Sequence, residues 1–332
     1  MNWLSAPEVA AIPDPEPLIP GWMNRHERFI LAGPEKTGKS FAVLQAAFEL
    51  ALGHSLWGSF AVPAPLRVML LQFEIAPSTF KGRYQGYESA LGATDNLWVA
   101  SDRDFRIDND SHLAALQRDV ATFAPDLFIF DPLYYMHDQP ENGDSMKDIC
   151  RRIDTLSPWC AIWVVHHMSK PLTDAAGRMV SRGRADIRGH SILIGWPDGI
   201  VEIRRGHIAD SGLWLRYTLR NQAPVDDTEL VKQGPMFVPA PMLTTMGVLS
   251  RLRTAGGSLS VAQLAGSRSA VDSLVAQLVH DGLVRDGRTE ADKRARVLTI
   301  TDAGLALTKA GVTSILTAPQ PAGTGELRRQ HD

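Results

Sequence analysis

Residues 33–40 have the sequence Gly-Pro-Glu-Lys-Thr-Gly-Lys-Ser and directly follow an apolar run at 29–32. The spacing suits a nucleoside triphosphate. Backbone N–H groups of such a loop surround phosphates, its last lysine reaches the β and γ oxygens, and its final hydroxyl coordinates Mg²⁺. Apolar residues then recur at helical spacing to about residue 53. This order predicts a site for ATP and Mg²⁺ formed by Gly33, Pro34, Glu35, Lys36, Thr37, Gly38, Lys39, Ser40 and Phe41.

Two acidic residues end other apolar runs and are candidates to complete this site. Asp131 follows the apolar residues 127–130 and precedes Pro132, which cannot continue a strand ladder. A carboxylate there would hold Mg²⁺ together with Ser40. Glu74 closes the run at 68–73, where it would position or deprotonate the attacking water. The alternative for either residue is an ordinary turn position after a core strand.

The segments that must position these residues alternate between apolar runs and helical patterns. The run at 161–165, like that at 127–130, is continuous, which is typical of a strand buried on both faces of a parallel sheet. The runs at 200–203 and 213–219 predict antiparallel strands at the end of the sheet. We therefore expect an α/β fold with a mainly parallel central sheet covered by helices.

A chain of 332 residues is long enough for two domains. Local composition indicates where the boundaries between them lie. Five prolines predict an N-terminal arm at 1–20 that either lies along a neighbouring surface or is disordered, and a proline-rich stretch predicts a linker at 236–241. We expect the ATPase domain at 21–235, a smaller domain at 242–312 and a solvated tail at 313–332.

Overall charge and composition narrow the class of protein. Apolar residues make up 44% of the chain, charged residues 21%, and the formal net charge is −3. These values are typical of a globular protein without general attraction to DNA or membranes, so nucleic-acid contacts must come from local basic patches. Cys150 and Cys160 suit a reducing compartment and lack metal-ligand spacing. Without a leader-like start or an apolar run of about 18 residues, we expect a cytoplasmic protein with no membrane partner.

A first basic patch follows the strand predicted at 161–165. Between residues 168 and 190, two aspartates stand against five basic residues, and glycines are interspersed. This composition predicts salt-sensitive contacts with the phosphates of single-stranded DNA, the alternative being a solvated loop. The basic residues are Lys170, Arg178, Arg182, Arg184 and Arg188.

A second patch lies in the smaller domain. Its pattern of helices, a Gly256-Gly257 turn, a helix at 269–280 and two strands around a charged tip is typical of a winged helix-turn-helix. Arg268, near the start of that helix, and Arg294, in the tip, would contact duplex DNA. Winged helices also bind proteins, so both interpretations stay open.

Several motifs resemble the RepA family of plasmid and phage replicative helicases, a RecA-fold group related to DnaB. The resemblance covers roughly residues 20–225, and the winged helix lies outside it. Two positions depart from the family pattern: Ile75 stands where an aspartate is frequent, and His190 where a small residue is frequent. The matching motifs are residues 33–40, Gln72-Phe73-Glu74 with Arg83 downstream, Phe130-Asp131-Pro132-Leu133, residues 141–146, Val165-His166-His167-Met168-Ser169-Lys170 and Arg188-Gly189-His190-Ser191.

The resemblance implies a homohexameric ring with ATP sites between subunits and single-stranded DNA in its central hole. It favours His166 as the sensor of the γ-phosphate. It also implies an arginine finger from the neighbouring subunit, for which Arg220 matches best, with Arg216 and Arg204 as substitutes. The expected function is that of an ATP-driven, DNA-dependent motor, a replicative helicase with a replication initiator or primase as partner.

Two other functions stay open. In the first, ATP controls the assembly of an initiator or regulator that binds duplex DNA through the winged helix. In the second, the chain is a RecA-like accessory ATPase of recombination or repair. Formation of filaments rather than rings would favour the second.

Overall fold

The computed structural model describes residues 3–168, 172–173, 179–180, 187, 191–206, 212–240, 248–249, 252–253, 255–261, 264, 268–288 and 296–308. They belong to two units, Met1–Ala240 and Pro241–Asp332. The first unit holds the predicted nucleotide site, and the second holds the segment predicted to be a winged helix.

Strands and helices alternate along the first unit. In chain order its strands are β1 (Pro17–Ile19), β2 (Met23–Asn24), β3 (Arg28–Gly33), β4 (Val68–Gln72), β5 (Leu97–Ser101), β6 (Leu127–Asp131), β7 (Ala161–His167), β8 (Leu172–Thr173), β9 (Met179–Val180), β10 (Gly199–Arg205), β11 (Leu213–Leu219), β12 (Thr228–Gln233) and β13 (Met236–Pro239). Its helices are α1 (Ala6–Ala10), α2 (Lys39–Leu52), α3 (Pro77–Leu91), α4 (Asp110–Phe123), α5 (Gly143–Asp154) and α6 (Ile192–Gly195). A 3₁₀ turn spans Leu133–Tyr135.

Among the described residues, nine strands form the central sheet, in the order β13-β12-β11-β10-β3-β7-β6-β4-β5. The strands from β10 to β5 in this order are parallel, whereas β11, β12 and β13 extend the sheet antiparallel. The predicted α/β fold, with a mainly parallel sheet and antiparallel strands at its end, is confirmed. β7 separates β3, which leads into the glycine-rich loop, from β6, which ends at Asp131.

Apolar side chains cover both faces of this sheet because successive residues of a strand point to opposite faces. In β3, Phe29 and Leu31 belong to the apolar cluster that includes α2, whereas Ile30 and Ala32 belong to the cluster that includes α4 and α5. Burial on both faces explains why the central strands are continuous apolar runs rather than alternating ones. This burial also fixes the positions of the strand ends and of the polar residues that follow them.

Residues 236–239 form the edge strand β13 and not the predicted linker. Gly234 and Pro235 are the two-residue turn of a hairpin, in which Gly234 has a positive φ of 59° and Gln233 pairs with Met236. The strand is fastened to α2 because the Gln45 side chain donates to the Phe237 carbonyl (2.6 Å) and accepts from the Phe237 N–H (2.7 Å). The prediction was wrong because proline and glycine at a hairpin resemble a linker in composition.

The end of the predicted N-terminal arm also belongs to the first unit. β1 pairs with β2, and Leu18 and Ile19 are buried in the core beside Trp22. Residues 3–16, including the short helix α1, are exposed. Leu18 and Ile19 of the predicted arm are therefore part of the folded core, and residues 6–10 are helical.

The second unit combines one described long helix with a small sheet. Its elements are β14 (Ser258–Ser260), α7 (Arg268–His280), β15 (Val284–Arg288) and β16 (Arg296–Ile300). The three described strands are antiparallel in the order β14-β16-β15. Helix α7 and strands β15 and β16 lie where the sequence predicts them, whereas β14 was not predicted. In the described part of the chain, every helix is too short or too polar to cross a lipid bilayer.

Candidate nucleoside triphosphate site

The glycine-rich loop joins the carboxyl end of β3 to the first residue of α2. A Cβ atom at Gly33 would collide with the backbone oxygen of Ile203, and Gly38 has a φ of 99°, so both positions require glycine. The loop therefore turns tightly and presents the amino end of α2, where unpaired N–H groups and the helix dipole attract anions.

Lys39 is 5% exposed, and its ammonium group is held by the loop itself. It donates hydrogen bonds to the carbonyl oxygens of Gly33 (2.8 Å) and Pro34 (2.7 Å). Burial lowers the pKa of Lys39 to about 8, against the opposing attraction of Asp131, Glu74 and Glu35. A cation desolvated in this way gains most from a phosphate group.

Asp131, at the carboxyl end of β6, lies next to Ser40, in the first turn of α2. The Ser40 hydroxyl donates a hydrogen bond to the Asp131 carboxylate, which is 6% exposed. Burial raises the pKa of Asp131 to about 6, while Ser40 and Lys39 oppose the shift. Two adjacent oxygen ligands of this kind fit Mg²⁺, so these residues would hold the metal. Bound there, Mg²⁺ would neutralise charge on the phosphate oxygens.

We expect Asp131→Asn to stabilise the nucleotide-free protein above pH 6. Because the pKa of this carboxyl rises from 3.8 to about 6 in the folded chain, the folded state binds its proton more tightly, and ionisation lowers the free energy of unfolding. The gain should reach up to about 3 kcal/mol near pH 8 and disappear at about pH 3. Thermal unfolding across this pH range measures it, with Asp95→Asn at an exposed position as the control. If the Asp131→Asn variant and the parent were equally stable near pH 8, ionisation of Asp131 would not lower the free energy of unfolding as predicted.

Glu74 is exposed, and the residues around it fix its backbone. The Gln72 side-chain oxygen accepts from the N–H groups of Glu74 (3.2 Å) and Ile75 (3.0 Å), and its amide donates to Ile75 and to the Ser101 hydroxyl. The Arg103 guanidinium donates to the Glu74 carbonyl (3.0 Å). Gln72 and Arg103 thus position Glu74, and for Arg103 the sequence offers no signal because the contact spans 29 residues.

These side chains open onto one cleft of about 600 Å³, a size that suits a nucleotide. The structure thereby brings together the predicted residues Lys39, Ser40, Glu74 and Asp131, which come from three separate segments of the chain. The cleft is lined by Glu35, Lys36, Gly38, Lys39, Ser40, Phe41, Glu74, Arg83, Asp131, Pro132, Tyr134, Tyr135 and His167.

A family model described as an AAA domain, AAA_25, matches residues 2–172. The chain belongs to this AAA domain family. No curated protein sequence matches the chain. Among solved structures, it is similar to a KaiC-like protein of the hyperthermophilic archaeon Pyrococcus horikoshii OT3, with 13% sequence identity and a TM-score of 0.46 over 68% of this chain and 94% of that one. Membership of the AAA domain family supports nucleotide hydrolysis by a P-loop ATPase.

The AAA domain match includes both histidines, and the structure separates them. His166 pairs with Ala32, belongs to the same face of the sheet and is fully buried. His167 pairs with Gly33 and lines the cleft. Alternation along β7 turns only one of the two consecutive side chains toward the cleft, that of His167, whereas His166, the expected γ-phosphate sensor, lies in the interior.

Two cations lie near the Phe41 ring, which lines the AAA domain cleft. The Arg83 guanidinium lies 4.4 Å from the centre of the Phe41 ring, and the Lys232 ammonium lies 5.8 Å from it. A second hollow adjoins this ring and includes Gly82 and Pro235. Lys232, on the added strand β12, lines this second hollow and was not predicted from the sequence, since nothing in its neighbourhood along the chain points to the loop.

The candidate arginine fingers do not line this cleft in the described part of the chain. Arg220 follows β11 at the amino end of β10, where its backbone N–H donates to Asp198 and its guanidinium donates to Gly195 (2.5 Å). The loop lies at the opposite end of β3, about 20 Å away along six residues. Arg216 forms an ion pair with Asp227 (3.4 Å), and Arg204 forms one with Glu202 (3.0 Å).

The residues predicted to bind DNA fall largely beyond the structural description. Arg268 is the first residue of α7. The others, Lys170, Arg178, Arg182, Arg184, Arg188 and Arg294, lie outside the described residues.

Proposed function

We propose that the protein is an ATP-hydrolysing motor that depends on DNA, a helicase of the plasmid or phage replicative type acting on single-stranded DNA. The observation that carries the ATPase part is the cleft in which Lys39, Ser40, Glu74 and Asp131 converge. The DNA-dependent part rests on the resemblance of the motifs and on the basic composition of residues 168–190.

In this proposal each residue has a distinct task. Lys39 leaves the loop carbonyls for the phosphates, while Ser40 and Asp131 hold Mg²⁺. Glu74 takes the proton of the attacking water, a role that suits an exposed carboxylate at the cleft. His167 lies where it can respond to the γ-phosphate.

We further propose that hydrolysis requires a ring of identical subunits, a hexamer by resemblance. Arg220 is half exposed and lies at the end of the sheet opposite to its own loop, so it suits a neighbour's cleft rather than its own. An arginine supplied by the next subunit would stabilise charge on the transferring phosphate.

The proposed DNA contacts follow from the strand order. β6 and β7 are adjacent and parallel, so the segments that follow them leave the same edge of the sheet. The residues after β7 include Lys170 and Arg178, which would bind phosphates without sequence preference. DNA bound at this edge would be close to the nucleotide, which allows one to influence the other.

We expect single-stranded DNA to stimulate ATP hydrolysis several-fold, and we expect added salt to remove the stimulation. Steady-state hydrolysis by the parent and by the double variant Arg182→Ala/Arg184→Ala measures this effect, with Arg118→Ala, on the exposed side of α4, as the control. Loss of stimulation in the double variant alone supports the proposal. Hydrolysis by the parent that is indifferent to single-stranded DNA would overturn it.

A second function rests on the other unit, whose helix α7 precedes the β15–β16 hairpin as in a winged helix. There, Arg296 is neutralised by ion pairs with Asp272 (2.5 Å) and Asp286 (2.5 Å). Duplex binding would therefore depend on Arg268 and Arg294. An ATP-controlled initiator should prefer one duplex site, and equal affinity for unrelated duplexes would exclude this function.

A further inference from the structure

Two consecutive tyrosines stand exposed beside the nucleotide cleft. Tyr134 is 44% exposed and Tyr135 is 41% exposed, and both line the cleft together with Pro132 and His167. Their rings are perpendicular, with centres 5.0 Å apart. Two adjacent exposed rings that line a cleft offer apolar faces on which a ligand with a flat face can stack.

The backbone beneath these rings is held from both sides. Leu133 and Met136 are buried in the core, and the Met136 carbonyl accepts from the Ile107 N–H (2.7 Å). The 3₁₀ turn that carries the tyrosines is closed by the hydrogen bond from the Met136 N–H to the Leu133 carbonyl (3.1 Å). The rings are therefore presented on a fixed support, which lowers the entropic cost of stacking.

We propose that Tyr134 and Tyr135 form a stacking platform for the bases of single-stranded DNA. This inference rests on the proposed function and names the surface by which the ATPase unit recognises the bases themselves. Stacking on aromatic rings tolerates any base, as a motor that moves along a strand requires.

The position of the rings favours DNA over the base of the bound nucleotide. From their proposed roles, Asp131 and Glu74 would face the γ-phosphate, and the tyrosines follow Asp131 closely in the chain. We expect the base of a nucleotide at the other end of the phosphate chain, on the side of Phe41, which follows Ser40. The tyrosines share their sheet edge with the carboxyl end of β7, where the basic segment of the sequence begins.

The platform also links DNA to hydrolysis. Only Pro132 and Leu133 separate Tyr134 from Asp131, so a DNA strand stacked on the rings would lie beside the carboxylate that would hold Mg²⁺. Stimulation by DNA should accordingly require the bases and not only the phosphates.

The test compares an oligothymidine with an abasic oligonucleotide of equal length in fluorescence anisotropy titrations. We expect the parent to bind the oligothymidine at least about fivefold more tightly, and Tyr134→Leu/Tyr135→Leu to abolish this difference. Tyr134→Phe/Tyr135→Phe should retain it. Trp159→Leu is the matched control, because Trp159 is 56% exposed and precedes the amino end of β7.

The outcomes separate this inference from the proposed function. If the parent binds neither oligonucleotide, the DNA-dependent motor itself is excluded. If the parent prefers the oligothymidine and the leucine variant keeps the preference, only the platform is excluded. Titration with a fluorescent ATP analogue provides a third result: a leucine variant that loses nucleotide affinity but keeps its preference for bases would assign the rings to ATP and overturn the proposal.

Discussion

Lys39→Ala is expected to abolish ATP hydrolysis, with a loss of at least about a thousandfold in rate. The ammonium group is buried, rests on the carbonyls of Gly33 and Pro34, and is the cation of the loop best placed to meet the β and γ oxygens. Alanine leaves the phosphates facing those carbonyls without a compensating charge. Because burial already lowers the pKa of Lys39 to about 8, folding should tolerate the loss of this charge.

Steady-state hydrolysis and binding of a fluorescent ATP analogue measure the effect of Lys39→Ala. Lys147→Ala, at an exposed position on α5, controls for the removal of a lysine. Thermal unfolding should show a folded variant. Hydrolysis within tenfold of the parent rate would refute the assignment of the loop.

Glu74→Gln is expected to stop turnover while leaving nucleotide binding intact. The substitution keeps the shape of the side chain but removes its ability to accept a proton, which should lower the rate by about a hundredfold to ten-thousandfold. The backbone at Glu74 is held by Gln72 and Arg103 through main-chain atoms, so the glutamine should occupy the same place.

Single-turnover hydrolysis together with equilibrium nucleotide binding separates these effects of Glu74→Gln. Glu88→Gln, on α3 outside the cleft, is the matched control. A variant that hydrolyses ATP at the parental rate would show that another group positions the water. Loss of binding together with turnover would instead assign Glu74 to holding the nucleotide.

Sequence patterns predicted the central strands well because burial on both faces leaves a continuous apolar run, as in β6. They missed β5, an edge strand whose residues alternate between buried and exposed, and they mistook β13 for a linker. Both lie at margins of the sheet, where fewer side chains are buried and the apolar signal is weaker.

The residues of the candidate site were likewise only partly predictable from the sequence. Lys39, Ser40, Glu74 and Asp131 were predictable because each stands at a strand or helix end next to an unmistakable pattern. Which of the two adjacent histidines faces the cleft was not, because one step along β7 reverses the face and only the pairing with β3 fixes it. Tyr134 and Tyr135 reach the cleft, and Lys232 the hollow beside it, through tertiary packing, and no local pattern marks them.

The hydrogen bonds between Gln45 and Phe237 have a consequence for dissecting the protein. An ATPase fragment that ended at residue 235 would remove both hydrogen bonds between the buried Gln45 amide and Phe237, leaving only the one to Glu49, and would remove the aromatic ring that lies beside Gly38. An ATPase fragment should therefore extend to residue 240, the last of the first unit, so that the helix bearing Lys39 keeps its hydrogen bonds with β13. The same bonds tie β13, the last strand of the first unit, to the helix that begins at Lys39, so a fragment cut before β13 would lose support at the candidate nucleotide site itself.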